Sequence, residues 1–137
     1  MRTRRTLTAT SAVALVAAAL ASGAVPLAPA ASAKGLEVRT SGNCSAGATW
    51  KLKARQDDRR IQVELEVDSN RVGQRWSVAL SDNTVRVSSG SAVTTAPSGS
   101  FTVRSLVTNR AGSDTIRAYA RYAATGQECR ATLVYPG

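Results

Sequence analysis

The chain has 137 residues, with 18 Lys and Arg against nine Asp and Glu, so it carries a formal charge of +9. It contains no histidine and only two cysteines, far apart, which excludes a Ser-His-Asp or Cys-His nucleophile, a histidine metal site and a Cys-x-x-Cys redox pair. A balance this basic suits either an anionic partner or a well-solvated surface.

Arg2, Arg4 and Arg5 open the chain with positive charge, and an apolar run follows over 12–21. Pro26 and Pro29 precede Ala31-Ser32-Ala33, which puts small residues at the −3 and −1 positions of a signal-peptidase site. The expected organisation is a cleaved signal peptide, 1–33, and one exported domain, 34–137, outside a bacterial cell. The apolar run is about ten residues, far short of the roughly 20 that span a bilayer, so no stable membrane anchor is expected. Thr3-Arg4-Arg5-Thr6-Leu7 partly matches a twin-arginine signal, which leaves that route and the ordinary secretory one both open. Cleavage removes three basic residues and no acidic one, leaving 104 residues with 15 basic and nine acidic groups, a net charge of +6.

Cys44 and Cys129 are the only cysteines, and in an oxidising compartment they are expected to form one disulfide closing 85 residues. A loop of that length contributes roughly 4–5 kcal/mol by chain entropy. Period-2 alternation dominates between them. Leu36 to Arg39 is an edge-like first strand. Trp50, Leu52 and Ala54 alternate with Lys51, Lys53 and Arg55, and Ile61, Val63, Leu65 and Val67 with Gln62, Glu64 and Glu66. Trp76, Val78 and Leu80 lead through Asp82-Asn83 to Val85 and Val87, a hairpin signal. Ser88 to Ser100 is rich in Ser, Thr and Gly and reads as a loop with at most a short edge strand. Phe101 and Val103 resume the alternation, with an irregularity expected at Leu106-Val107. After a loop over 109–113, Ile116, Ala118 and Ala120 face inward. A turn at Thr125-Gly126 then leads to Cys129, Ala131, Leu133 and Tyr135 on the inward face of the last strand.

Seven or eight short strands with turn chemistry between them predict an all-β fold, an antiparallel β-sandwich of immunoglobulin-like topology. The segment from Ala111 to Ala120 (Ala-Gly-Ser-Asp-Thr-Ile-Arg-Ala-Tyr-Ala), followed by a glycine-turn hairpin to Cys129, resembles the sixth and seventh strands of bacterial immunoglobulin-like or fibronectin-type-III-like domains. Trp50-Lys51-Leu52-Lys53, Val63-Glu64-Leu65-Glu66-Val67-Asp68 and Ser98-Gly99-Ser100-Phe101 are similar to small exported actinobacterial proteins with no assigned activity. These resemblances imply an architecture and no chemistry. Unlike the central bridge of antibody domains, Cys44–Cys129 is expected to pin one end of the sandwich.

Candidate catalytic and metal groups fall away one by one. Asp68-Ser69-Asn70-Arg71-Val72-Gly73 echoes a calcium loop but has Val72 and Ala79 where ligands are required, so it is expected to be a turn with Gly73 at positive φ. Glu64 and Glu66 are expected to pair on the outer face with Arg117 and Arg121 of a neighbouring strand rather than flank a scissile bond. Lys51 and Lys53 alternate outward, away from any buried Ser-Lys dyad. Neither a cofactor nor an enzymatic activity is expected.

The best candidate site is basic. Arg39, Lys51, Lys53, Arg55 and Arg104 are expected on one outer face, opposed by Glu37 alone, as an anion-binding surface. Six aromatic residues, several of them in the core, give few stacking platforms, so nucleic acid is not the expected partner. The expected function is binding, with an anionic cell-wall polymer or an extracellular protein as partner. The alternatives are an inhibitor of an extracellular hydrolase, for which 88–100 is the only long loop, and a carrier of a small apolar molecule between the sheets.

Overall fold

A computed structural model describes Gly23 and residues 35–137. The expected signal peptide and its cleavage before Lys34 lie outside the described residues, Gly23 aside. The described chain is built of eight strands: β1 (Glu37–Asn43), β2 (Thr49–Asp57), β3 (Arg60–Asp68), β4 (Arg75–Asp82), β5 (Val85–Val93), β6 (Ser100–Thr108), β7 (Asp114–Tyr122) and β8 (Gln127–Tyr135). They form two antiparallel four-stranded sheets, in the orders β1-β2-β3-β6 and β5-β4-β7-β8, and no helix occurs among the described residues. The fold is a β-sandwich.

Alternation drives the layering. In β3, Ile61, Val63, Leu65 and Val67 are at most 1% exposed, while Gln62, Glu64 and Glu66 look outward. Trp76, Val78 and Leu80 of β4 face them from the second sheet, with Ile116, Ala118 and Ala120 of β7 and Cys129, Ala131, Leu133 and Tyr135 of β8. Each large apolar side chain buried this way contributes about 1.5–3 kcal/mol. Trp50 and Trp76 both lie in this core, as their strand phase predicts.

One side of the sandwich is closed covalently. Cys44, just past β1, bonds Cys129 in β8 and so ties the first sheet to the second. The Ser45 N–H donates to the Glu128 carbonyl at 2.8 Å, the Ala48 N–H to Gln127 Oε1 at 2.8 Å, and the Tyr135 hydroxyl to the Leu36 carbonyl at 2.9 Å. At one end, Gly99 (φ 75°) lies so close to the Asn70–Arg71 backbone that no Cβ fits, and its carbonyl accepts from the Ser69 N–H at 3.0 Å. Gly73 has the positive φ that its turn demands.

Four expectations need correction. Residues 88–93 are not loop: they complete β5, a strand without the alternation signal because as an edge strand it buries almost nothing. The first strand runs on to Asn43, and β6 passes Leu106 and Val107 without irregularity, leaving Leu106 outward and exposed. The fourth concerns strand order: β3 and β7 belong to different sheets, so Glu64 and Glu66 do not meet Arg117 and Arg121.

Candidate anion-binding site

The strand order decides which outer face stays positive. On the first sheet, cross-strand register sets Arg39, Lys53, Glu64 and Arg104 in one row across all four strands. Lys53 Nζ lies 3.1 Å from Glu64 Oε1 and Arg104 Nε donates to Glu64 Oε2 at 2.7 Å. In the next row Lys51 Nζ is 3.5 Å from Glu66. Arg39 pairs with Glu37, and Arg55 Nε donates to Gln62 Oε1 at 2.7 Å. The five predicted cations therefore share one face, but Glu64 and Glu66 join Glu37 on it, and four of the five cations have carboxylate partners. Arg104 comes from the sixth strand. A shallow depression of about 370 Å³ runs between Arg39, Ser41, Lys51, Lys53, Glu64 and Glu66, of mixed sign throughout.

The second sheet is different. Arg75, Arg86, Arg117, Arg121 and Arg130 all take its outward phase and are exposed. Among the described residues, Glu128 is the one carboxylate on that outward face. Glu128 Oε2 accepts from Arg130 at 3.0 Å, and its Oε1 accepts from the Tyr119 hydroxyl at 2.6 Å, with Arg121 at 4.0 Å. The Tyr119 hydroxyl and Arg130 together hold the Glu128 carboxyl below the ordinary carboxylate range. The Arg130 guanidinium lies 4.9 Å above the Tyr119 ring. Tyr119 is outward, but both its hydroxyl and its ring face are occupied.

Arg86 and Arg117 have no acidic partner among the described residues. Both face Ser81 of β4, one from each side. Strands lie about 4.8 Å apart, so the two arginine backbones are about 10 Å apart with only a small hydroxyl side chain between them. Two long guanidinium arms can converge over that gap on a single oxyanion, each offering paired N–H donors. Arg86, Arg117, Tyr119 and Arg130 line a depression of about 440 Å³ on this face, with Ala79, Ser81 and Thr132 among its small residues.

Outward phase was legible for Arg117, Arg121 and Arg130. What hid this face was the assumed pairing of β3 with β7, which set Glu64 and Glu66 against Arg117 and Arg121 and left the first sheet looking unopposed. The arrangement has the elements of anion recognition. Comparison with protein-family models, curated proteins and solved structures returns no match for this chain.

Proposed function

We propose that this protein is an exported, non-enzymatic binding module of immunoglobulin-like architecture that holds an anionic polymer of the cell envelope against its second sheet. The observation carrying this reading is the face with five arginines and one carboxylate, on which Arg86 and Arg117 flank Ser81 without acidic partners. Guanidinium pairs match phosphate and carboxylate geometry better than lysine does, and this face holds arginine alone as its cation. The disulfide is compatible with an oxidising, extracellular setting. A sheet face presenting rows of charge suits an extended polymer more than a small enclosed ligand.

Retention on immobilised glycerol-phosphate polymer tests this directly, with uncharged dextran as the control. The wild type is expected to bind at low salt and to elute as ionic strength approaches 0.15 M, where the Debye length is about 8 Å. An Arg86→Glu, Arg117→Glu variant is expected to lose retention, while Lys51→Gln, Lys53→Gln on the other face keeps it. No retention of wild type at low salt, or equal loss in both variants, overturns the proposal.

A further inference from the structure

Trp76, Tyr122 and Gln127 stand opposite one another in a single row across β4, β7 and β8. Tyr122 takes the inward phase at the last position of β7, so its ring closes the end of the core. The ring stacks on Trp76 and, half-buried, lines a depression of about 830 Å³, larger than either outer-face depression. Three connections wall it: β1–β2 at Ala46-Gly47, β3–β4 at 69–74 and β7–β8 at Thr125. Ser81, between Arg86 and Arg117, lies roughly 17 Å further along β4 than Trp76, so this end is separate from the arginine pair.

The walls are held in place. Beside the disulfide, the Cys44 N–H donates to the Ala48 carbonyl at 2.8 Å across the β1–β2 connection. Buried Thr94 braces the β3–β4 connection. Its hydroxyl donates to the Arg71 carbonyl and accepts from the Gln74 N–H at 2.9 Å, and its carbonyl accepts from the Gly73 N–H at 2.8 Å. A site whose walls are set before binding loses little entropy on taking a ligand.

The lining chemistry selects that ligand. Asn70, Gln74 and Gln127 bring three carboxamides, a group that carries donor and acceptor side by side. Gln127 Oε1 already accepts from the Ala48 N–H at 2.8 Å, so this amide contributes donors. Gln74 Oε1 is buried and has no hydrogen-bond partner among the described residues, so an acceptor sits beneath the depression that the protein itself leaves unsatisfied. A sugar answers such a wall, because each of its hydroxyls both donates and accepts and its ring C–H face packs on an aromatic side chain. An apolar ligand would strand the amides. An inorganic anion would meet a single cation, exposed Arg71, the one charged residue of the lining. One guanidinium matches one carboxylate.

We infer that this end of the sandwich is a saccharide site, which takes the ring of a hexuronic acid on Tyr122, its hydroxyls against the three amides and its carboxylate against Arg71. The inference does not rest on the arginine face.

Amide NMR titration of the protein with glucuronate and with glucose tests it, at about 0.15 M salt to screen diffuse attraction to the arginine face. Glucuronate is expected to give saturable shifts centred on 46–48, 69–74 and 122–127, with a Kd on the order of 1 mM, and glucose to bind at least about fivefold more weakly. Arg71→Gln, a surface change, is expected to bring glucuronate to the affinity of glucose and to leave glucose unchanged. Gln74→Leu removes the unpaired acceptor and is expected to weaken both sugars at least about threefold, with a melting temperature within a few degrees of wild type or above it. The Arg86→Glu, Arg117→Glu variant is expected to bind both sugars as the wild type does, so this site and the polymer-binding reading can fail separately. The inference is overturned by no saturable shift with either sugar up to about 100 mM, or by glucose binding as tightly as glucuronate. Undiminished glucuronate binding in Arg71→Gln overturns it too, as does tighter binding of uridine monophosphate than of glucuronate.

Discussion

Arg104 donates through Nε to Oε2 of Glu64 at 2.7 Å, across the β3–β6 rung on which the two residues face each other. Lys53 holds the other oxygen at 3.1 Å, so one largely buried carboxylate joins cations from two strands. Burial by itself pushes the Glu64 carboxyl up; the Arg104 and Lys53 hydrogen bonds and charges outweigh it and leave it below the ordinary carboxylate range. A carboxyl lowered by folding adds stability above its unfolded pKa, and that stability is lost as pH falls through its folded pKa.

Glu64→Gln should therefore cost about 0.5–1.5 kcal/mol at pH 7 and much less at a pH below the folded pKa of Glu64, where the wild-type carboxyl is protonated too. Urea denaturation of both proteins at the two pH values measures the difference. An equal cost at both would show that the ionised rung contributes nothing.

Asp82 has the opposite sign. Asp82 and Asp114 are 2% and 0% exposed and face each other at the end of β4 and the start of β7. Asp114 accepts from Asn83 Nδ2 at 3.1 Å and from the Arg110 N–H at 3.4 Å, while Oδ1 of Asp82 has no partner. Burial, followed by the charge of Asp114, raises the Asp82 carboxyl, with Arg110 acting against them. The native state then binds this proton more tightly than the unfolded chain, so this contribution to stability declines as pH rises from the ordinary carboxylate range through the raised value. Asp82→Asn, uncharged and still able to donate to Asp114, should stabilise the protein by about 1–2 kcal/mol at neutral pH and by less below about pH 4. Thermal melts across that range decide it, and a lower melting temperature at pH 7 would refute it.

Alternation carried the inward faces of β2, β3, β4, β7 and β8, because each buries a full row of apolar side chains and burial is what writes period 2 into a strand. β5 buries one side of almost nothing, so Ser88–Val93 looked like loop although its backbone pairs with β4 residue by residue. Strand order was legible in part: Arg39, Lys51 and Arg104 are expected in one sheet and lie there, but the neighbour of β3 is β6 and not β7. Glu64 alternates outward whichever strand lies beside it, and only the sheet topology sets Lys53 and Arg104 there in place of Arg117. Because charge on an outer face is a sum over neighbouring strands, a single error of adjacency set Glu64 and Glu66 against the arginines of the second sheet and left them out of the charge of the first. The disulfide needed no topology, as two cysteines allow one intramolecular pair.

Cys44–Cys129 links positions 85 residues apart and joins the two sheets beside the Ser45–Glu128 hydrogen bonds. Reduction should lower stability by up to roughly 4–5 kcal/mol, many degrees of melting temperature for a domain this size. Intact mass of the protein recovered from culture medium is expected to correspond to a chain starting at Lys34 and to rise by two hydrogens on reduction. A titratable thiol in the native monomer, or an uncleaved N-terminus, would contradict the respective expectation.

Trp76 gives the sharpest test of the core. Its ring stacks on Tyr122 with centroids 5.6 Å apart and tilts against Phe101 at 6.2 Å, bringing side chains of both sheets together. The indole is fully buried, yet its Nε1 has no hydrogen-bond partner, so a desolvated donor offsets part of what the ring contributes. Trp76→Ala removes the ring and leaves a cavity, at an expected cost of about 3–5 kcal/mol. Trp76→Phe loses less volume, keeps an aromatic partner for Tyr122 and removes the unpaired donor, so it should cost no more than about 1–2 kcal/mol. Trp50 supplies the contrast: its Nε1 donates to the Asn43 carbonyl at 3.3 Å, and its ring packs under Gly42 too closely to admit a Cβ there. Trp50→Phe gives up both that hydrogen bond and the contact with Gly42, and it should cost more than Trp76→Phe although Trp50 is the more exposed of the two. Denaturant titrations of the three variants rank them. The reverse order for the two Phe variants would mean that the buried Trp76 donor carries no penalty.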